Sequence, residues 1–239
     1  MHVVAAIAVA PIVGGVVRVV PSTAVPIISV SALVAITAAA VVDGKIYVVG
    51  GRDAQRQDLS SVEVYEPSSD TWTLVAPMGT ARKQHGVAVL GGKLYAVGGR
   101  GAAGQHLDTA EVYDPQTDGW QPLAKMSTVR SSLGLAAVGG KIYAVGGSWG
   151  GGSPLMDSVE AYDPQLGAWA LVASMSGKRF GHASVMLDGK IYAIGGHDGA
   201  GALDMVEVYD PQANSWQRVA SMPRRLLWDA AAVMGGKIY

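Results

Sequence analysis

The run Gly-Lys-(Ile/Leu)-Tyr recurs five times along the 239-residue chain, with its tyrosine at 47, 95, 143, 192 and 239, giving intervals of 48, 48, 49 and 47. A fixed period of that length describes a series of like units, each burying its apolar surface against its neighbours. The rest of each unit keeps step. A Gly-Gly pair follows at 50–51, 98–99, 146–147 and 195–196, then Glu-x-Tyr-(Asp/Glu)-Pro beginning at Glu63, Glu111, Glu160 and Glu207. Seven residues after that second tyrosine comes Trp72, Trp120, Trp169 or Trp216, and six further on Met78, Met126, Met175 or Met222. All nine tyrosines and four of the six tryptophans sit on this grid, which ties them to the scaffold of the unit and not to one site.

Each unit reads as four short strands. Gly86–Leu90 is apolar and runs into a two-residue Gly-Gly step suited to a primed hairpin turn, and Lys93–Val97 follows at once. A loop of nine or ten residues leads to Thr109–Tyr113, which stops at Asp114-Pro115 because proline cannot continue a ladder. The tryptophan lies on the fourth strand. Four antiparallel strands per unit, with no helical periodicity, predict an all-β fold of radially arranged blades, each sheet sandwiched by the next.

The combined motif Gly-Lys-Ile-Tyr-x-(Val/Ile)-Gly-Gly, Glu-x-Tyr-Asp-Pro and the spaced tryptophan resembles the kelch repeat over residues 37–239. The resemblance implies a single β-propeller domain spanning 1–239, with repeats at about 37–84, 85–132, 133–181 and 182–228 and a partial repeat at 229–239. Residues 1–36 lack the grid. Val16–Pro21 and Ile27–Val30 read as degenerate third and fourth strands, and two architectures stay open. Either these N-terminal strands close a five-bladed ring, or the chain is a fragment of a six- or seven-bladed one.

Composition narrows the partners. With 18 Lys and Arg against 19 Asp and Glu, and no basic run, nothing steers the chain toward nucleic acid. No cysteine is present, so disulfides, thiolate metal sites and the copper, cross-linked-tyrosine oxidation chemistry of some kelch-like enzymes are excluded. Residues 19–42 carry no charge, but Pro21, Pro26 and the hydroxyl residues Ser22, Thr23, Ser29 and Ser31 argue against a membrane span, and the N-terminus lacks the positive charge of a signal peptide. A soluble monomer is expected, cytoplasmic in preference to exported.

Because the loops joining strands two and three share an end with those joining successive blades, and the other end has only tight turns, the first end is the expected recognition face. There the sequence places Arg52, Arg100, Trp149 and His197 in the longer loops. Arg82, Arg130 and Arg179 each stand ten residues after their tryptophan, with Arg225 one short of that register, and His85 and His182 share one position beside Phe180. In kelch proteins similar to this one the arginine at this position lines the ligand pocket, which implies a grip on carboxylates. Structural pairing of these arginines with the repeat glutamates is the other reading. No zinc spacing, catalytic set or cofactor motif is present. The expected function is a binding module for a protein or acidic peptide, not an enzyme. The alternative is an enzyme resembling bacterial sugar-acid isomerases, acting on a small anionic sugar.

Overall fold

Short apolar runs joined by two-residue steps of positive φ dictate the local structure. The structure, a computed structural model, describes residues 38–149, 154–228 and 230–239, so the expected closing strands within 1–36 lie outside the described residues. In blade I, Ala38–Val42 (β1) and Lys45–Arg52 (β2) pair around Asp43 and Gly44, whose φ values of 49° and 77° are those of a primed turn. Asp58–Glu66 (β3) and Thr71–Val75 (β4) complete an antiparallel sheet in the order β1-β2-β3-β4.

The same meander repeats. Blade II consists of Gly86–Leu90 (β5), Lys93–Val97 (β6), Ala110–Asp114 (β7) and Gly119–Pro122 (β8). Blade III has Gly134–Val138 (β9), Lys141–Val145 (β10), Val159–Asp163 (β11) and Ala168–Val172 (β12). Blade IV has Ala183–Leu187 (β13), Lys190–Ile194 (β14), Val206–Asp210 (β15) and Ser215–Arg218 (β16), and Val233–Met234 (β17) pairs with Lys237–Ile238 (β18). Among the described residues the chain is therefore all-β, with four complete sheets and one two-stranded sheet, and no helix is long and apolar enough to cross a membrane.

The core lies between the sheets. Val49, Val62 and Val64 of blade I pack on Leu94, Ala96 and Tyr113 of blade II, and equivalent clusters join II to III and III to IV. The tyrosine grid follows from this sandwich. The first tyrosine of one blade meets the second of the next, as Tyr47 meets Tyr113 at 5.9 Å and Tyr143 meets Tyr209 at 5.5 Å, while Tyr113 and Trp120 face each other across β7 and β8 at 5.2 Å.

Side chains also bind the neighbouring backbone. Trp120 donates from Nε1 to the carbonyl of Ala76 at 2.9 Å, and Asp118, which also accepts from the Tyr113 hydroxyl, accepts the Ala76 N–H at 2.9 Å. Trp216 and Asn214 hold both groups of Ala173 in the same way. Trp149, off the grid, is 57% exposed. Trp120→Ala is therefore expected to cost about 3 kcal/mol, the lower end for removing a large aromatic because the ring is half-buried, and Trp149→Ala less than about 1 kcal/mol. Urea unfolding of the two variants checks the division, and equal losses would refute it.

Candidate functional site

The interblade segments and the loops joining second and third strands meet at one end of the sheets. Arg82 shows how. Its N–H donates to the carbonyl of Leu59 and its carbonyl accepts from Gly51, so its backbone rests on the blade I loop. Its side chain reaches into blade II, where Nη1 donates to the carbonyls of Gly98 and Thr109, both at 2.9 Å, and Nη2 pairs with Glu111 at 2.7 Å. Arg130 repeats this on Gly146, Ser158 and Glu160, and Arg179 on Gly195, Met205 and Glu207. All three arginine side chains are 0% exposed.

This corrects the expected carboxylate grip: the arginines are bolts between blades, and no guanidinium among them reaches an external ligand. The physical reason is stoichiometry. Each loop segment crosses onto a sheet that offers two carbonyls and a buried carboxylate, and a planar fork of five donors satisfies all of them at once. In the next register position stands Leu226, whose backbone makes the equivalent bonds to Leu203 and Gly196 without a guanidinium.

His85 and His182 are likewise corrected as ligand contacts. Both are buried, and their imidazoles are pushed down to about 3, first by burial and second by the charge of Arg82 or Arg179 respectively. His182 lies tight against Gly134 and Gly146 of the preceding blade, and neither of its ring nitrogens has a hydrogen-bond partner among the described residues.

The expected residues that do reach the loop face fall into two groups. In the first, Arg52 donates to Asp58 at 2.6 Å and Lys83 of the next segment pairs with the same carboxylate at 2.8 Å. Burial alone would raise the Asp58 carboxyl, but the two cations together hold it below the usual range. Arg100, half-buried, bridges Lys83 and His106 through its backbone and donates its side chain to the Gly104 carbonyl at 3.3 Å. In the second group, Phe180 bridges His197, with ring centroids 5.4 Å apart, and stands edge-on to Trp228 at 5.6 Å. Arg225, three residues before Trp228 in sequence, is exposed. Trp149, exposed, stands in the blade III loop between the groups in sequence.

Sequence reasoning missed the inner rim of this face. Gln84, Ser132, Gly181 and Trp228 share one register, twelve residues after each tryptophan, and take φ of 54°, 54°, 59° and 60°. They are joined in succession, Ser132 N–H to Gln84, Gly181 to Ser132 and Trp228 to Gly181, at 2.8, 2.8 and 2.9 Å. This chain of backbone bonds runs from blade to blade just ahead of the inner strands. The one available signal was the small or polar character of three of the four residues, which suits a left-handed backbone.

Radially stacked four-stranded sheets with cores between them define a β-propeller chain. A solved structure described as "Structure of YjhT" has the same fold, with a TM-score of 0.73 at 14% identity over 85% of this chain and 79% of that one. The model of the KLHDC2/KLHL20/DRC7 Kelch-repeats domain matches residues 27–178 and the Kelch motif matches 178–223. The chain belongs to the kelch-repeat family. Kelch-like protein 7 of Gallus gallus is 49% identical over 37 residues and Kelch-like protein 15 of Danio rerio 42% over 52 residues. These stretches cover 16% and 19% of this chain, and only 6% and 9% of the relatives.

Proposed function

We propose that the chain is a protein-interaction module whose binding surface is the loop face. The observation that carries this reading is the variation of side chains on a backbone fixed in the same way in blades II, III and IV. One position reads Lys83, Ser131 and Phe180, and its bridge partner reads Arg100, Ser148 and His197, although every pair makes the same bridge above the same arginine bolt. Scaffold positions keep their residue from blade to blade, whereas these change charge and size, as recognition positions do. Kelch relatives support protein partners in general. The isomerase-like alternative is weakened because Arg82, Arg130, Arg179, His85 and His182 are buried, which leaves the half-buried loop histidines His106 and His197 for it.

Affinity capture with the full chain tests the reading. Proteins held by the wild type are expected to be lost with Arg100→Ala or Trp149→Ala and kept with Lys93→Ala, which alters the hairpin end. Partners equally insensitive to loop-face and hairpin-end changes would refute it.

A further inference from the structure

We infer that the Phe180–Trp228 shelf is the anchor subsite of the loop face, receiving one apolar side chain of an extended, acidic protein segment; this rests on the protein-binding reading above. The argument begins with strain. Trp228 is a bulky residue at φ 60°, where an L side chain crowds its own backbone, and such an outlier points to a functional demand. The other three repeats fill this register with Gln, Ser and Gly.

The surroundings are fitted to it. A Cβ at Gly181, the same register one blade earlier, would stand 2.9 Å from Trp228 Cε3 and 3.1 Å from Leu227 Cδ1, so the missing side chain there makes room for the indole. Phe180, the chain's only phenylalanine, supplies an edge-on wall, and His197 packs against it with the rings tilted at 47°. Phe180, His197 and Trp228 all remain half-buried, and Leu226 beside them is 40% exposed. A rigid, partly exposed aromatic pair of this kind is the usual form of a contact anchor.

Charge chooses the partner. Lys178, Arg224 and Arg225 lie within four residues of the shelf, all exposed, and none makes an ion pair among the described residues. The repeat lysines at the hairpin end behave otherwise: Lys45, Lys93, Lys141 and Lys190 are each matched by a carboxylate of their own blade. Asp198, the acid nearest to His197 in sequence, spends its carboxylate on the N–H groups of Ala200 and Gly201 at 2.8 and 2.9 Å. Cations unmatched among the described residues beside an apolar shelf complement a segment whose anchor residue is flanked by Asp or Glu.

The probe is a phage-displayed random dodecapeptide library selected on the full chain. Enriched peptides are expected to carry one large apolar residue flanked by acids. Their affinity should fall about tenfold or more with Trp228→Gly, with Phe180→Ser, which copies Ser131 of blade III, and with the Arg224→Ala/Arg225→Ala pair. Trp228→Gly should keep its melting temperature within about 3 °C, because glycine relieves the strain as the ring contacts are lost. Should that variant unfold, Phe180→Ser decides by the same criterion. Tight binding retained by both aromatic variants, or enrichment of basic peptides, overturns the subsite and leaves loop-face binding standing. No enrichment on the wild-type chain overturns the protein-binding reading and the subsite with it.

Discussion

Replacing Arg130 with methionine is expected to lower the unfolding free energy by about 3–5 kcal/mol, the usual consequence of removing one partner of a buried ion pair. The loss comes mainly from what remains. Glu160, with a side chain 1% exposed, would be left buried without its cation and with the Ser127 N–H at 2.7 Å as its remaining donor, while the carbonyls of Gly146 and Ser158 and the Ser158 hydroxyl lose theirs. Adding Glu160→Leu to Arg130→Met removes the stranded charge and should recover a large part of the loss. By contrast Lys93→Met, which breaks the surface pair with Asp114 where the lysine is 48% exposed, should change stability by less than about 1 kcal/mol. Urea unfolding of the three variants beside the wild type gives the comparison. An Arg130→Met loss no larger than that of Lys93→Met would show that the bolts contribute nothing to joining the blades.

The strands, the primed hairpins and the interblade tyrosines were legible because period, turn chemistry and alternation all point the same way. Gly-Gly and Asp-Gly steps are read from residue type alone, and positive φ at both positions of each confirms them. The direction of the arginines was not legible. An arginine ten residues after Trp72, Trp120 and Trp169 suits a ligand funnel or a bolt equally, since the spacing fixes the backbone register and not the side chain's destination. The glutamate of the next repeat, at 111, 160 and 207, was the sequence's own hint of the bolt. Burial of His85 and His182 escaped for a related reason: the start of an inner strand is exposed in an isolated sheet and covered only by the preceding blade, at Gly134 and Gly146 for His182. The strained backbone of Trp228 could be read only by aligning it with Gly181, where the usual left-handed residue stands.

Acid is expected to destabilise the protein well above the carboxylate range. His85 and His182 titrate near 3 in the folded chain, first because burial disfavours the imidazolium and second because Arg82 or Arg179 lies close. In the unfolded chain they titrate near 6.5. The folded values are depressed, so above pH 6.5 neither state takes up a proton and the histidines impose no pH dependence. Below it the unfolded chain is protonated and the folded one is not, and stability falls until the pH reaches about 3. With two such groups the slope is about 2.7 kcal/mol per pH unit, which amounts to about 4 kcal/mol at pH 5 relative to pH 8. Against a total stability of roughly 5–15 kcal/mol that loss is decisive. Asp58, also depressed, adds its own loss only as the pH falls through the carboxylate range, so the window between 6.5 and 5 belongs to the histidines. Blade III places Leu133 in the register of both. His85→Leu/His182→Leu should therefore fold, and its urea midpoint should fall much less from pH 7 to pH 5 than that of the wild type, the remaining fall coming from His106, whose imidazole is also lowered, first by burial and second by Arg100. Parallel profiles for the two proteins would mean that the imidazoles gain protons in the folded state, and would rule out burial in the neutral form.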